Sequence, residues 1–237
     1  MFRAVRLAQL ARLGQLAFAG AALATLAACG GDGHAVADGG TPAPAPVQPK
    51  VTVDELAGGA YTVSTGDGDK PTVGRYYAGA DGKRLLTLED AGEQVDLLLH
   101  RATASAAWRA VPSPSTDLDV KLLHSQPRTL AVPDAAALAG RYVLRLADGN
   151  AADFQLTADG RLAAGMLPGC RLSGVLGASS LPGALALRLD SSGCSGVPAH
   201  ASGVLITDPQ DAPASLRLLA DDGAGVVDLR GYAEPGA

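Results

Sequence analysis

Apolar and polar residues alternate with a period of two along the second half of this chain, and this pattern limits its fold more than any other feature. Leu185, Leu187 and Leu189 alternate with a small, a basic and an acidic residue, and residues 141–146 repeat the alternation. Successive side chains of a strand point to opposite faces, so the pattern predicts half-buried antiparallel strands. Asp-Gly and Pro-Gly pairs, which favour turns, separate the segments. We therefore expect an all-β fold.

The spacing of these segments predicts their number and arrangement. The second half should contain about eight strands, near residues 141–147, 152–157, 161–167, 170–176, 184–190, 200–206, 214–220 and 225–232. The first half should contain about six, including residues 73–78, 83–89, 94–100, 105–111 and 118–124. Such spacing is typical of a small antiparallel barrel or sandwich in each half. A short helical turn is expected at residues 133–138, because Pro133 and Asp134 are helix-start signals.

The two halves begin alike, which predicts that they are related by an internal duplication. Residues 56–58 read Leu-Ala-Gly shortly before Tyr61, and residues 138–140 read the same before Tyr142. A turn-rich stretch and an Asp-Gly pair follow in both halves. Chance recurrence of common turn sequences is the alternative explanation.

The first 28 residues have the composition of an export signal. Arg3, Arg6 and Arg12 are their only charged residues, and an apolar run follows over residues 16–28. That run is 13 residues long, whereas a helix that crosses a bilayer needs roughly 20 apolar residues. The segment is therefore expected to direct export rather than to form a permanent span.

The export signal ends in Leu26-Ala27-Ala28-Cys29, which resembles the lipobox of bacterial lipoproteins. The resemblance implies cleavage between Ala28 and Cys29 and attachment of lipid to the thiol of Cys29. Acyl chains such as palmitate would then hold the mature chain on a membrane. Gly30 follows the cysteine where Asp would favour the inner membrane of enteric bacteria, so the outer membrane is expected. An ordinary secretory signal with a coincidental cysteine is the alternative.

A flexible tether is expected after the acceptor cysteine. Residues 30–50 read GGDGHAVADGGTPAPAPVQPK, which is Gly-rich and then Pro-rich and has no apolar period. The predicted organisation is a signal peptide (1–28), a lipid anchor with a disordered tether (29–50), an N-terminal β half (51–132) and a C-terminal β domain (133–237).

The charge balance restricts the partners of the mature chain. Without its first 28 residues the chain carries 16 basic and 24 acidic residues, a net charge of −8. Such a surface repels nucleic acid and anionic headgroups. The expected partners are the membrane, through the lipid on Cys29, and an envelope protein or cell-wall component. No nucleic-acid partner is expected.

The three cysteines are explained if Cys29 carries lipid, because Cys170 and Cys194 then remain as a pair. Pairing is the usual outcome in an oxidising compartment, so a disulfide between Cys170 and Cys194 is predicted. A zinc site is the weaker alternative, since the chain has no CxxC motif and no second pair of ligands.

The second half resembles a repeat of small uncharacterised proteobacterial β-rich lipoproteins. The features that carry the resemblance are Leu-Ala-Gly-x-Tyr at 138–142, Asp-Gly-x-Leu at 159–162, Cys170, Cys194 and the Gly-Val-Leu strand at 203–205. It covers roughly residues 136–232, and the first half departs from it because it lacks cysteine and carries Trp108. The resemblance implies a fold and a compartment but no activity.

The mature chain carries no familiar catalytic signature. GxSxG, Walker, HExxH and dinucleotide-binding motifs are all missing, so no enzyme activity, cofactor or metal is predicted. The four histidines, His34, His100, His124 and His200, lack partners at ligand spacing and are expected at solvated or edge positions. A nucleophile and base brought together only by folding would escape this search.

The aromatic residues of the first half are the best candidates for a ligand pocket. Trp108 and Arg109 lie in one segment, and Tyr76 and Tyr77 lie in another. The alternative is that the single Trp fills a core.

A non-enzymatic binding or structural module of the cell envelope is the leading hypothesis for function. One alternative is a lipocalin-like carrier, which requires a hollow apolar interior around Leu185, Leu187 and Leu189. Another is an envelope hydrolase, which requires a serine, a histidine and a carboxylate to converge in one cleft.

Overall fold

The computed structural model describes residues 48–234, and these residues confirm the predicted all-β fold. The first half contains β1 (Val51–Val53), β2 (Gly59–Gly66), β3 (Pro71–Ala78), β4 (Arg84–Glu89), β5 (Val95–Arg101), β6 (Arg109–Val111), β7 (Leu118–Val120) and β8 (Leu122–Arg128). The second half contains β9 (Gly140–Arg145), β10 (Ala151–Leu156), β11 (Arg161–Ala164), β12 (Arg171–Gly177), β13 (Ala184–Ser192), β14 (His200–Ile206), β15 (Leu216–Asp221) and β16 (Val226–Ala233). A three-residue 3₁₀ helix, Pro209–Asp211, precedes β15. In this part of the chain no helix has the length and apolar character needed to cross a membrane.

Strands β9 to β16 form a closed barrel, one of the two architectures predicted for this half. Each strand pairs antiparallel with the next, and β16 pairs with β9 to close the cylinder. All eight strands expected in this half are present, with ends that differ from the expected ones by a few residues. The turn between β10 and β11 shows why Asp-Gly pairs indicate the strand ends. Gly160 in this turn has a φ of +80°, a conformation that disfavours residues other than glycine.

Side chains fill the inside of the barrel. The cluster contains Tyr142, Leu144, Leu146, Ala152, Phe154, Leu156, Leu162, Cys170, Leu172, Leu187, Leu189, Ala201, Leu205, Leu216, Leu218, Ala220, Val227 and Leu229, all buried. Tyr142 and Phe154 stack with ring centroids 5.4 Å apart. An eight-stranded barrel is just wide enough for its side chains to fill, and Leu187 and Leu189 of β13 contribute to this core.

Strands of the first half form an open six-stranded antiparallel sheet in the order β6-β5-β4-β3-β2-β8. The short parallel ribbon of β1 and β7 accompanies it. Residues 118–124, expected as one strand, belong to two strands, β7 and β8. The carboxylate of Asp54 accepts hydrogen bonds from the backbone N–H of Leu122 and from Lys121 Nζ at this break, 3.0 and 3.1 Å away. The strand expected at 105–111 is limited to β6, because turns occupy the residues before it.

One face of the sheet packs on the outer wall of the barrel. The buried residues that join the two are Ala60, Tyr77, Leu85, Val95, Leu98 and Val111 from the first half and Leu181, Ala184, Val204, Ile206 and Leu219 from the second. The opposite face of the sheet carries its own cluster, which includes Tyr76, Leu86, Leu99 and Trp108. The sheet is therefore buried on both faces.

A network of buried charges joins the sheet to the barrel beside this apolar contact. It contains Arg75, Glu89 and Arg128 from the sheet and Asp208, Asp211, Arg217 and Asp228 from the barrel half. Arg75 lies 2.7 Å from Asp211, and Arg217 Nη1 lies 2.7 Å from Glu89. None of these side chains is more than 11% exposed. Both contacts cross the predicted boundary at residue 133.

The segment between the sheet and the barrel contains the expected turn. Leu138 N–H donates to the carbonyl oxygen of Asp134 at 3.0 Å. Tyr142 Oη then donates back to the carbonyl oxygen of Leu138 at 2.7 Å, and Tyr61 Oη donates to that of Ala57 at 3.1 Å. The two tyrosines of the repeated motif thus make the same bond four residues back. The internal duplication stays a prediction.

The predicted signal peptide, the acceptor Cys29 with the cleavage site after Ala28, and most of the predicted tether lie outside the described residues.

Candidate functional site

A cleft of about 920 Å³ lies between the sheet and the outer wall of the barrel. Its volume is within the range of small-molecule sites, roughly 300–1,000 Å³. Strands β4, β5 and β6 supply one wall and β12 to β15 supply the other. Its lining includes Lys83, Arg84, Leu85, Leu98, His100, Arg109, Leu181, Ala186, Arg188, Asp190, His200, Ser202, Val204, Leu219, Asp221 and Asp222.

The barrel wall of the cleft is the outward face of strands whose inward face forms the core. All of residues 186–190 of β13 border the cleft, but only Leu187 and Leu189 also belong to the barrel core. The period-two alternation of a strand produces both faces at once. The pattern that predicted the core therefore also determines which side chains face the cleft.

The floor of the cleft is apolar. Leu85, Leu98, Leu181, Val204 and Leu219 line it, and each is at most 6% exposed. They belong to the cluster that joins sheet and barrel. An apolar part of a ligand would meet this floor.

Three cations of the cleft have no carboxylate partner within residues 48–234: Lys83, Arg109 and Arg188. Arg84 differs, because its guanidinium contacts Glu55 at 3.3 Å and donates to the carbonyl oxygen of Gly79 at 2.8 Å. The first three cations remain available to a ligand.

His100 connects the two walls of the cleft. Its Nε2 lies 3.7 Å from Asp221 Oδ2, so that β5 of the sheet approaches β15 of the barrel. Burial lowers the pKa of His100 below its usual value, Asp221 opposes this effect, and the charges of Arg109 and Lys83 add to it. The two cations therefore lie close enough to His100 to influence its charge.

A second imidazole lies at the exposed side of the cleft. His200 Nδ1 is 2.7 Å from Asp190 Oδ1, with side chains 86% and 60% exposed. Ser202 also lines the cleft, but its hydroxyl makes no hydrogen bond with either histidine in the described part of the chain. Across residues 48–234, no three His, Cys, Asp or Glu side chains form a group that could hold a metal ion.

The four residues predicted to form an aromatic ligand pocket are not brought together. Tyr76 and Trp108 pack against each other on the far face of the sheet, with ring centroids 6.2 Å apart. Tyr77 points to the other face, towards the barrel, and its pKa is raised by burial. Arg109 alone lines the cleft. Trp108 has the core position that was considered as the alternative.

Trp108 is held in place by a residue that the sequence did not single out. Glu55 accepts hydrogen bonds from Arg101 Nη1 at 2.6 Å and from Trp108 Nε1 at 3.4 Å. Arg101 lies over the Trp108 ring, with its guanidinium carbon 5.4 Å from the ring centroid. In the sequence Glu55 directly precedes the repeated Leu-Ala-Gly segment at 56–58, and no motif marks it as a partner of Trp108.

The predicted disulfide between Cys170 and Cys194 is present. It connects the start of β12 to the loop after β13, and Cys170 packs into the barrel core. The disulfide thus fastens one end of the barrel next to strands that line the cleft.

A scan against protein-family models and searches of curated proteins and of solved structures found no match to this chain. The site is therefore interpreted from its own geometry.

Proposed function

We propose that this chain is a lipid-anchored lipoprotein of the cell envelope whose β ectodomain is a non-enzymatic binding module for a small amphipathic molecule. The observation that carries the binding role is the cleft between sheet and barrel, which has an apolar floor below a polar rim. A cleft with a few polar groups around an apolar surface is the usual form of a small-molecule site.

The anchor is supported by the lipobox resemblance at Leu26 to Cys29 and by the tether composition after it. The mature chain would then be fixed through Cys29 to a membrane, with the outer membrane favoured by Gly30. Mass spectrometry of the mature N-terminus tests this part of the proposal, and we expect an acylated Cys29 as the first residue. Protease treatment of intact cells would show on which side the ectodomain lies. A chain that keeps residues 1–28 and carries no acyl group would contradict the anchor.

The geometry favours a binding module over the two alternatives. A lipocalin-like carrier needs room inside its barrel, whereas packed side chains such as Leu144, Phe154 and Leu205 occupy this interior. A hydrolase needs a serine hydroxyl bonded to a base, and Ser202 has no such bond to an imidazole among the described residues. Ligand binding in the outer cleft requires neither a hollow barrel nor a serine bonded to a base.

Blocking the cleft with a bulky side chain tests the binding role. Ala186 lines the cleft on β13, and a tryptophan in its place would occupy the cleft volume. Ala163 is an exposed alanine of β11 that does not line the cleft, so Ala163→Trp is the matched control. The assay measures the fluorescence of a solvatochromic apolar dye titrated with the full chain carrying Cys29→Ser, which keeps competing acyl chains out.

Ala186→Trp is expected to weaken dye binding at least tenfold, while Ala163→Trp leaves it unchanged. Circular dichroism must show the same β content in both variants. Equal dye binding by the two folded variants would refute the cleft as the binding site.

A further inference from the structure

We infer that the ligand of the cleft is an anionic amphiphile, with a carboxylate or phosphate headgroup on an apolar chain. This inference rests on the proposed binding role and adds the chemical class of the ligand. Its basis is the juxtaposition of three cations without carboxylate partners and an apolar floor in one cleft.

The cations come from both walls of the cleft. Lys83 directly precedes β4 and Arg109 begins β6 on the sheet side, and Arg188 belongs to β13 of the barrel. Arg109 lies directly opposite His100 on the neighbouring strand, and the charges of Arg109 and Lys83 both act on this imidazole. Arg109 and Arg188 are exposed to solvent. An anion placed between the walls would contact cations from each, and charge-assisted hydrogen bonds of this kind are among the stronger ones.

The three acids of the cleft keep their negative charge, but local hydrogen bonds hold each carboxylate in place. Asp190 bonds His200 at 2.7 Å. Asp221 accepts the Gly223 N–H at 2.9 Å with one oxygen and lies near His100 with the other. Asp222 accepts two turn N–H groups, from Ala224 at 2.9 Å and Gly225 at 2.8 Å. The carboxylates of this cleft are engaged locally, whereas the three cations are open.

This concentration of open cations contrasts with the rest of the chain. The chain after residue 28 has a net charge of −8, and an acidic surface lowers the general affinity for anions. A free inorganic anion would contact only the cations at the rim of the cleft and not its apolar floor. A molecule with a hydrocarbon part would use both the cations and the buried leucines at Leu85, Leu98 and Leu219.

The experiment compares headgroups on one chain length by displacement of the apolar dye. The probes are dodecanoate, dodecyl phosphate, dodecanol and inorganic phosphate, with the full chain carrying Cys29→Ser. The two anionic amphiphiles are kept below their micelle concentrations and dodecanol below its solubility limit. We expect at least one of the two anionic amphiphiles to displace the dye at a concentration at least tenfold lower than dodecanol. Which of them does so identifies the headgroup. Inorganic phosphate is expected to displace no dye.

Charge variants connect the effect to the cleft. The double variant Arg109→Gln/Arg188→Gln is expected to remove most of the preference for the anionic amphiphile over dodecanol. Arg145→Gln/Arg171→Gln is the control, since these two exposed arginines of the barrel have no carboxylate partner in the described chain and do not line the cleft. All four positions are exposed, so both variants should fold, and Trp108 fluorescence verifies this.

Three outcomes would overturn the inference. The first is equal displacement by dodecanol and both anions, and the second is displacement by inorganic phosphate as effective as by dodecyl phosphate. The third is an unchanged preference in Arg109→Gln/Arg188→Gln. In each of these cases Ala186→Trp still weakens dye binding if the cleft is a binding site. Failure of the proposed function is therefore recognised separately, by equal dye binding in Ala186→Trp and Ala163→Trp.

Discussion

Arg217 of β15 donates two hydrogen bonds to Asp228 of the neighbouring strand β16, 2.7 Å from Nε and 2.6 Å from Nη2. The Arg217 side chain is only 1% exposed, and its Nη1 also bonds Glu89 of the sheet at 2.7 Å. Burial alone would lower the pKa of Arg217, but the bonds and charges of Asp228 and Glu89 raise it. Arg217 therefore stays protonated although it is buried, and the carboxylates of Asp228 and Glu89 compensate its charge.

Removal of one partner from this pair should be costly, because it leaves an uncompensated buried charge. Asp228→Asn and Arg217→Met are each expected to lower the free energy of unfolding by about 3–5 kcal/mol. Urea denaturation measures this loss. Arg161→Met is the control, since its pair with Asp159 is largely exposed and should contribute at most about 1 kcal/mol. A loss in Arg217→Met no larger than in the control would contradict the interpretation.

Acid should destabilise the protein through Asp208. Its burial tends to raise the pKa, but the hydrogen bonds from Arg128 and Gln210 N–H and the nearby arginine charges lower it overall. A carboxyl with a lowered folded pKa stabilises the fold at pH values above about 4, and this contribution is lost as the pH falls through the folded pKa. Asp208→Asn should therefore be less stable than the native chain at pH 6, and the difference should shrink towards pH 2. The exposed Asp96→Asn should show no such difference in urea midpoints.

Loss of the disulfide should destabilise the barrel, because the unfolded chain gains conformational freedom when this crosslink is absent. Cys170 and Cys194 are 24 residues apart, and a loop of this size corresponds to about 3.5 kcal/mol in the chain-entropy model. We expect Cys170→Ala/Cys194→Ala to lose an amount of that order in urea denaturation. The native chain under reducing conditions should show a similar loss. Equal stability of reduced and oxidised chains would argue against this role.

Sheet and barrel should unfold together, because an apolar cluster and a charge network both join them. Trp108 is the only tryptophan and lies in the sheet, so its fluorescence reports the sheet alone. Far-ultraviolet circular dichroism reports both parts. A single cooperative transition with coincident midpoints is expected. Separate midpoints would show that the halves are independent domains.

Binding of an anionic amphiphile should strengthen at lower pH through His100. Its pKa lies below the usual value because of burial and of the charges of Arg109 and Lys83, with Asp221 opposing them. An anion in the cleft favours the protonated imidazole, so the affinity for dodecanoate, whose carboxylate stays ionised above about pH 5, should rise as the pH falls from about 7 to about 6. His100→Gln should bind with little change over that interval. Without ligand, the contribution of His100 to the free energy of unfolding should fall as the pH drops below about 6.5. The reason is that the unfolded chain binds this proton more tightly than the folded chain.

The strands of the barrel could be predicted from the sequence because short stretches of neighbouring residues determine where each strand begins, ends and faces. Alternating leucines such as Leu187 and Leu189 mark one face of a strand, and turn pairs such as Asp159-Gly160 mark its ends. Arg217 and Asp228 each lie between two apolar residues, so the same alternation puts them on outward faces. It could not show that a sheet covers those faces, because what covers a strand depends on distant parts of the chain.

The cleft escaped prediction for the same reason. Lys83 and Arg188 are separated by more than a hundred positions and meet only because the sheet packs on the barrel. Single charged residues on strands are ordinary surface features in a sequence. Trp108 attracted attention as a rare aromatic residue, but Glu55 and Arg101 cover it within the sheet. The rare tryptophan therefore marks a core cluster of the first half and not a ligand site.

The bond between Cys170 and Cys194 also determines how many free thiols the chain can offer. The sequence has three cysteines, and two of them are consumed by this bond. A colorimetric titration of sulfhydryl groups on the denatured but unreduced protein would therefore read the chemical state of Cys29 alone. One equivalent indicates an unmodified precursor, and none indicates that its sulfur has been capped.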